Sequence, residues 1–303
     1  MSTRIWRTSR FAIDLARPRV MGIVNVTPDS FSQGGAALST AHAIARCEQM
    51  LGDGADILDI GGESSRPGAE PVSAEEELAR VRPVLVAAIG LGCPVSIDTT
   101  KLEVMRVALD LGVDIVNDIA ALRTPGAVDL VAAHPRCGVC LMHMRGTPRS
   151  MQAEAVYDDV AAEVVAFLRE RIDATRAAGI DPQRIVADPG IGFAKTPAQN
   201  FELLEHQEAL LALGVPILVG WSRKSTLARI AGLAAKAPTG RSPAEQARLE
   251  AASVVAAVLA VQRGARIVRV HDVEATVAGL AVWRAARGAD NRGDRSNDPR
   301  STS

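Results

Sequence analysis

Eight short apolar segments recur along this 303-residue chain, near residues 20–25, 56–60, 94–98, 114–118, 138–142, 185–188, 215–220 and 267–270, with helical patterns between them. None alternates strictly between apolar and polar positions, so each reads as a parallel strand buried on both faces. Eight such strands separated by helices meet the count of a (β/α)8 TIM barrel, a single α/β domain. Seven of the segments end abruptly in polar chemistry: Asn25, Asp59, Asp98, Asn117, Asp188, the Ser222-Arg223-Lys224 run after Gly220, and His271 two residues beyond Arg269. A parallel barrel presents residues at those ends on its catalytic face.

Composition bounds the rest. With 48% hydrophobic residues the chain can bury a large core, and one barrel over residues 20–286 accounts for almost all of it. Residues 1–19 suggest a short hairpin beneath the barrel, and residues 287–303 a polar tail too poor in apolar groups to order itself. The formal net charge of −1 supplies no global field for nucleic acid or an anionic membrane, so any anion site must be local. No signal-peptide core or bilayer-spanning stretch is present, and a soluble cytoplasmic protein is expected. Cys137 and Cys140 form a C-x-x-C without the further ligands a zinc site needs, so all four cysteines are expected to be buried free thiols.

Helix punctuation is legible as well. Ser73-Ala74-Glu75-Glu76 and Thr100-Lys101-Leu102-Glu103 fit the capping box, in which hydroxyl and carboxylate satisfy opposite orphan amides. Ser242-Pro243-Ala244-Glu245 adds proline at the first helical position, and Gly264 is placed to close that helix with a left-handed cap. Val156, Val160, Val164, Phe167, Leu168 and Ile172 form one apolar stripe for packing on the sheet. Residues 25–35 and 61–68 are too long and too rich in Gly and Pro for ordinary barrel turns; each sets a large group, Phe31 or Arg66, between small residues, as mobile lids do. Lys224-Ser225 lacks the preceding glycine spacing of a P-loop, which argues against ATP binding.

Five motifs carry a family resemblance: Asn25-Val26-Thr27-Pro28-Asp29-Ser30-Phe31-Ser32, Gly62-Glu63-Ser64-Ser65-Arg66-Pro67-Gly68, Asp188-Pro189-Gly190-Ile191-Gly192-Phe193, Ser222-Arg223-Lys224-Ser225 and Arg269-Val270-His271-Asp272. Together, in this order and each at a predicted strand end, they closely resemble the dihydropteroate synthase family from about residue 20 to 283. The resemblance implies a transferase that joins 6-hydroxymethyl-7,8-dihydropterin diphosphate to p-aminobenzoate and releases diphosphate by dissociative substitution. It implies that Asp188 accepts from the pterin 2-amino group and adjacent ring N–H, two nearly parallel donors that match a carboxylate. Asp98 and Asn117 then bond other ring nitrogens, Lys224 donates to the ring carbonyl, and Met142, Phe193 and Gly220 line the pocket. Asn25, Arg66, Arg269 and His271 serve the diphosphate; Phe31, Ser65, Arg66, Pro67 and Ser222 surround p-aminobenzoate. Asn25, Arg66, Lys224, Arg269 and His271 make up the catalytic set. Mg2+ is the expected cofactor, with Asn25 its single protein ligand, since a hard ion that keeps most of its waters and bridges to diphosphate needs few others.

The residues also admit plainer readings. Asp98 and Asp188 in an ion pair with Lys224 would merely hold the barrel together, yet burying charge that way returns little net stability. His271 is a candidate helix cap, and His143 reads as packed structure outside the site. Position 33 is Gln where the family usually has Asp, and a neutral amide is expected to weaken that lid's field at the developing cation. Ser65, where many relatives have Thr, keeps the hydroxyl. A homodimer through helices near the C-terminal end is expected by analogy. The rivals are a folate-to-corrinoid methyltransferase domain, which needs no diphosphate residues, and a catalytically silent pterin-binding paralogue.

Overall fold

Two short strands precede the barrel: Ile5–Arg7 (β1) pairs antiparallel with Ala12–Asp14 (β2). The computed structural model describes residues 4–27, 35–66, 68–234 and 240–288. Six further strands run side by side and parallel: β3 (Arg19–Asn25), β4 (Ile57–Gly61), β5 (Val95–Asp98), β6 (Ile115–Asp118), β7 (Gly138–Met142) and β8 (Ile185–Asp188). On the other side of β3, the sheet continues with β10 (Ile267–Val270) and then β9 (Leu218–Val219). A parallel bridge between Ala187 and Ile217 brings β8 to β9 and closes the ring.

Nine helices among the described residues cover the barrel: α1 (Gly35–Gly52), α2 (Ala74–Ile89), α3 (Leu102–Leu111), α4 (Ala127–Ala133), α5 (Val160–Ala177), α6 (Pro197–Glu205), α7 (Ser225–Ile230), α8 (Pro243–Gln262) and α9 (Val273–Ala286). The period-two geometry of each strand sorts its side chains into two cores. Outward residues such as Leu58, Ile97, Val139 and Val268 pack under the helices. Inward Met21, Ile57, Ile115, Cys140, Val186, Leu218 and Ile267 form a separate cluster with Trp6, Ile13 and Leu15 of the hairpin. The hairpin therefore plugs the lower end of the barrel, and Trp6 Nε1 donates to the Arg184 carbonyl at 2.9 Å. The inward positions above this apolar floor are where the polar strand-end residues stand.

The caps differ in part from the sequence reading. Ser73 Oγ accepts from the Glu76 amide at 3.1 Å, but the Glu76 carboxylate pairs with Arg80, so only half the box forms. The Thr100 box does not form: α3 begins after Lys101, whose ammonium is drawn to Glu63 at 2.9 Å and Glu77 at 2.5 Å. The Ser242–Glu245 box is complete and Gly264 is left-handed, both as expected. A second complete box, Thr196 with Gln199 and Pro197 at its first turn, escaped the sequence reading. Val156 also departs from the expected stripe: it precedes α5 and is 72% exposed, whereas Val160, Val164, Leu168 and Ile172 are buried. All four cysteines are free and buried. Ser73→Ala should lower the unfolding free energy by about 1 kcal/mol in urea titrations, because it removes one cap bond and no core packing.

Candidate active site

Strand register aligns the polar ends. Asn25 lies beside Gly61, Gly61 beside Asp98 and Asp98 beside Asn117, making one rung across β3 to β6. Met142 lies beside Asp188 across β7 and β8. Below the first rung, fully buried Asp59 accepts from Arg269 Nε at 2.6 Å and from Asn117 Nδ2 at 3.1 Å. Arg269 Nη2 then donates to Asp98 at 2.5 Å. One guanidinium thus sits between two carboxylates, and the ion pair considered for Asp98 forms with Arg269 rather than with Lys224. Burial opposes the Arg269 charge, but Asp59 and Asp98 outweigh it and hold its pKa above the ordinary value. Burial lifts Asp98 to about 7, against the lowering effect of Arg269.

Asp188 follows a different local logic. Its Oδ1 accepts from the Gly190 amide at 2.7 Å, a contact made possible by the tight turn after β8. Gly190 has φ +70°, and a Cβ there would lie 1.9 Å from the His143 carbonyl oxygen, so no larger residue fits. Burial raises the Asp188 pKa, with the Gly190 amide and the Lys224 charge opposing. Lys224 lies after β9, its Nζ 4.0 Å from the centroid of the Phe193 ring. Burial and the nearby Arg269 charge lower Lys224 to about 8 despite Asp188 and Asp98.

His271 does not cap α9. Its amide donates to Ser222 Oγ at 3.1 Å and its Nδ1 lies 3.0 Å from the same oxygen. With its hydrogen directed to Nδ1, Ser222 would leave the imidazole hydrogen on Nε2; the reverse tautomer would have Nδ1 donate to the same oxygen. Burial and the charges of Arg223 and Arg269 push the His271 pKa well below its usual value, so the ring is neutral. The segment 222–224 is held by Arg223, whose left-handed φ of +57° is fixed by an ion pair to Asp272.

The second Gly/Pro-rich segment is anchored at its base. Arg80 donates to the Gly62 carbonyl at 2.8 Å, and Glu63 accepts from the Val72 amide at 2.9 Å while pairing with Lys101. Ser65 is half-buried and Arg66 exposed; the Gly68 amide donates to the Pro148 carbonyl at 3.2 Å. Phe31, Gln33 and Pro67 lie outside the described residues. Met142 and Phe193 join Met144, Met151, Ala194 and Ile119 in an apolar wall. Met144 and Met151 were missed because they come from an irregular loop that no periodicity marks. Asn25, Asp98, Asn117, Asp188, Lys224, Arg269 and His271 are therefore brought to one end of the barrel, and among the described residues no cluster of three acids, histidines or cysteines could hold a metal. That end can receive a flat polar ring, with carboxylate, amide and ammonium edges against an apolar wall.

Residues 21–271 match the family model described as pterin binding enzyme. A dihydropteroate synthase of Neisseria meningitidis serogroup C is 49% identical over 288 residues, covering 94% of this chain and 98% of the relative. Among solved structures, the Xanthomonas albilineans dihydropteroate synthase with 4-aminobenzoic acid superposes with a TM-score of 0.84 at 48% identity, covering 94% of this chain and 99% of that one. The Yersinia pestis dihydropteroate synthase in a sulfonamide drug complex gives 0.84 at 41% identity, again covering 94% and 99%. This chain belongs to the pterin-binding enzymes and, within them, to the dihydropteroate synthase family.

Proposed function

We propose that the protein is a dihydropteroate synthase, forming 7,8-dihydropteroate and diphosphate from 6-hydroxymethyl-7,8-dihydropterin diphosphate and p-aminobenzoate. The observation that carries this reading is the convergence of Asp98, Asn117, Asp188 and Lys224 from four different barrel strands and loops on one end, in a chain of this family. Asp188 accepts the pterin's paired N–H donors, Asp98 and Asn117 bond the remaining ring nitrogens, and Lys224 donates to the ring carbonyl. Met142, Phe193 and Gly220 line the ring pocket. The carbon–oxygen bond to diphosphate breaks, its electron pair leaves with the oxygen, and the neutral arylamine nitrogen attacks the delocalised methylene cation before losing a proton. In this reading Arg269, anchored between Asp59 and Asp98, acts with neutral His271 and Arg66 to stabilise the leaving group, and Ser65 and Ser222, with Phe31 and Pro67, enclose p-aminobenzoate.

Asn25, half-buried at the end of β3, fits a single neutral oxygen ligand to a magnesium ion carried in by the diphosphate, and no acid cluster is needed for it. Such an ion supplies charge neutralisation on the departing oxygens. Among the described residues no helix is long and apolar enough to cross a membrane; we place the enzyme in the cytoplasm, as a homodimer through its C-terminal helices, acting on small molecules and inhibited by sulfonamides that mimic p-aminobenzoate.

Incubating purified protein with both substrates and Mg2+ while measuring dihydropteroate and diphosphate tests the reading. Both products are expected in equal amounts, and pterin binding without either would contradict it. A pH profile adds detail. Lys224 donates as an ammonium only below its pKa of about 8, so kcat/KM for the pterin diphosphate should fall as pH rises through that value. Lys224→Arg, permanently charged, should flatten this alkaline limb; an unchanged limb would assign it elsewhere.

A further inference from the structure

The turn from β8 to α6 hides an ammonium that the reaction does not use. Lys195 is 3% exposed, and its Nζ lies 2.9 Å from His143 Nδ1, 3.0 Å from the Phe193 carbonyl oxygen and 3.1 Å from that of Gly190. An ammonium has three N–H donors, and these three acceptors engage them all. Burial and the Lys195 charge lower His143 to about 2, which keeps the ring neutral, so Nδ1 accepts from the ammonium in the tautomer that carries its hydrogen on Nε2.

The backbone around this ammonium is unusual. Gly190, Gly192 and Ala194 are left-handed, with φ of +70°, +81° and +49°. Alternate left-handed residues make no regular ladder, and Ala194 is strained because its Cβ disfavours that region. Such a turn keeps its shape only if its inward carbonyls are tied. The same turn places two pterin-facing groups: Asp188, whose carboxylate takes the Gly190 amide, and Phe193, whose ring lies under Lys224. The His143 amide donates to the Asp188 carbonyl at 2.9 Å, so the ammonium, its imidazole partner and Asp188 belong to one hydrogen-bonded unit. The outer side of the turn is braced separately, by Asn200 between the Gly192 amide at 2.7 Å and Thr226 at 3.0 Å.

We propose that Lys195 is a positioning residue for the pterin: its ammonium, tied to His143, Gly190 and Phe193, holds the β8–α6 turn in the shape that sets Asp188 and Phe193 against the ring. This deepens the dihydropteroate synthase reading and rests on it. Burying a charge to fill space gives little that an apolar side chain of similar volume would not, whereas an ammonium donates to two carbonyls and an imidazole at once; its neutral amine has only two N–H groups, so the threefold hold is complete below about pH 7 and weakens above it. The groups around Nζ are mixed: burial pulls its pKa to about 7, Asp188 opposes, Lys224 and Arg145 add to the pull, and the neutral Tyr157 ring lies 6.0 Å away.

Steady-state kinetics of the full chain, varying each substrate, test the assignment. Lys195→Met should raise the KM for the pterin diphosphate about 10- to 100-fold, while the KM for p-aminobenzoate stays within about twofold, because its residues lie on other loops. Lys195→Gln keeps two donors and should fall between. A pterin KM equal to that of the unaltered chain, or a loss confined to kcat, overturns the proposal. So does failure of both variants to fold, since the lysine would then serve the fold alone. If the unaltered chain makes no dihydropteroate, the reading of the reaction fails instead; calorimetry with dihydropterin then decides, and equal affinities for the Met variant and the unaltered chain refute the role of Lys195.

Discussion

Arg269→Leu is expected to destabilise the fold by about 3–5 kcal/mol and to abolish turnover, because it strands two buried carboxylates. Asp59 is fully buried and Asp98 is 14% exposed at its side chain, and both point their oxygens at this one guanidinium. Without it, burial favours the protonated form of Asp98 still more, so the cost depends on pH. A carboxyl whose folded pKa is raised contributes stability that is present below its unfolded pKa and lost as pH rises through the folded one. Asp98 already stands near 7 with the arginine in place, so the leucine variant should be clearly more stable at pH 5 than at pH 8 in urea titrations. Adding Asp59→Asn and Asp98→Asn should restore stability without restoring activity. An Arg269→Leu chain as stable as the parent at pH 8 would contradict this picture of the barrel interior.

Asp188→Ala is the second large effect, and it separates binding from folding. Each hydrogen bond to a charged acceptor contributes about 1.5–3 kcal/mol, so losing the pair that takes the pterin's two donors should lower kcat/KM for the pterin diphosphate by about 10²- to 10⁴-fold. Among the described residues the Gly190 amide is the donor that loses its acceptor, a cost of about 1–3 kcal/mol. Kinetics and denaturation on one preparation check both halves. A variant with normal pterin KM would remove Asp188 from the site.

The barrel was legible because its strands are apolar runs, seven of the eight stopping at polar residues, and stacking those stops around a closed sheet leaves little freedom in where Asn25, Asp98, Asn117 and Asp188 can stand. Asp59 shows the limit of that reading. It ends its apolar run as Asp98 does, but two residues lower in the register, so it becomes the buried acceptor for Arg269 and Asn117 instead of facing the mouth. Arg269 was read as facing diphosphate, and its anchoring between two acids depends on pairing across strands that are distant in sequence. The Thr100 box failed for a similar reason: a tertiary claim on Lys101 by Glu63 and Glu77 overrode a local capping signal. Lys195 was invisible because nothing in its neighbourhood predicts that a turn will fold back around its own ammonium.

The most direct test of the account is a crystal structure of this protein with a dihydropterin diphosphate analogue. It should place the pterin ring at the end of the barrel, its 2-amino group and adjacent N–H on the Asp188 carboxylate, Lys224 at the ring carbonyl, and the diphosphate toward His271 and Asn25. A ring bound elsewhere, or bound here with Asp188 turned away and Lys224 on another partner, would contradict it.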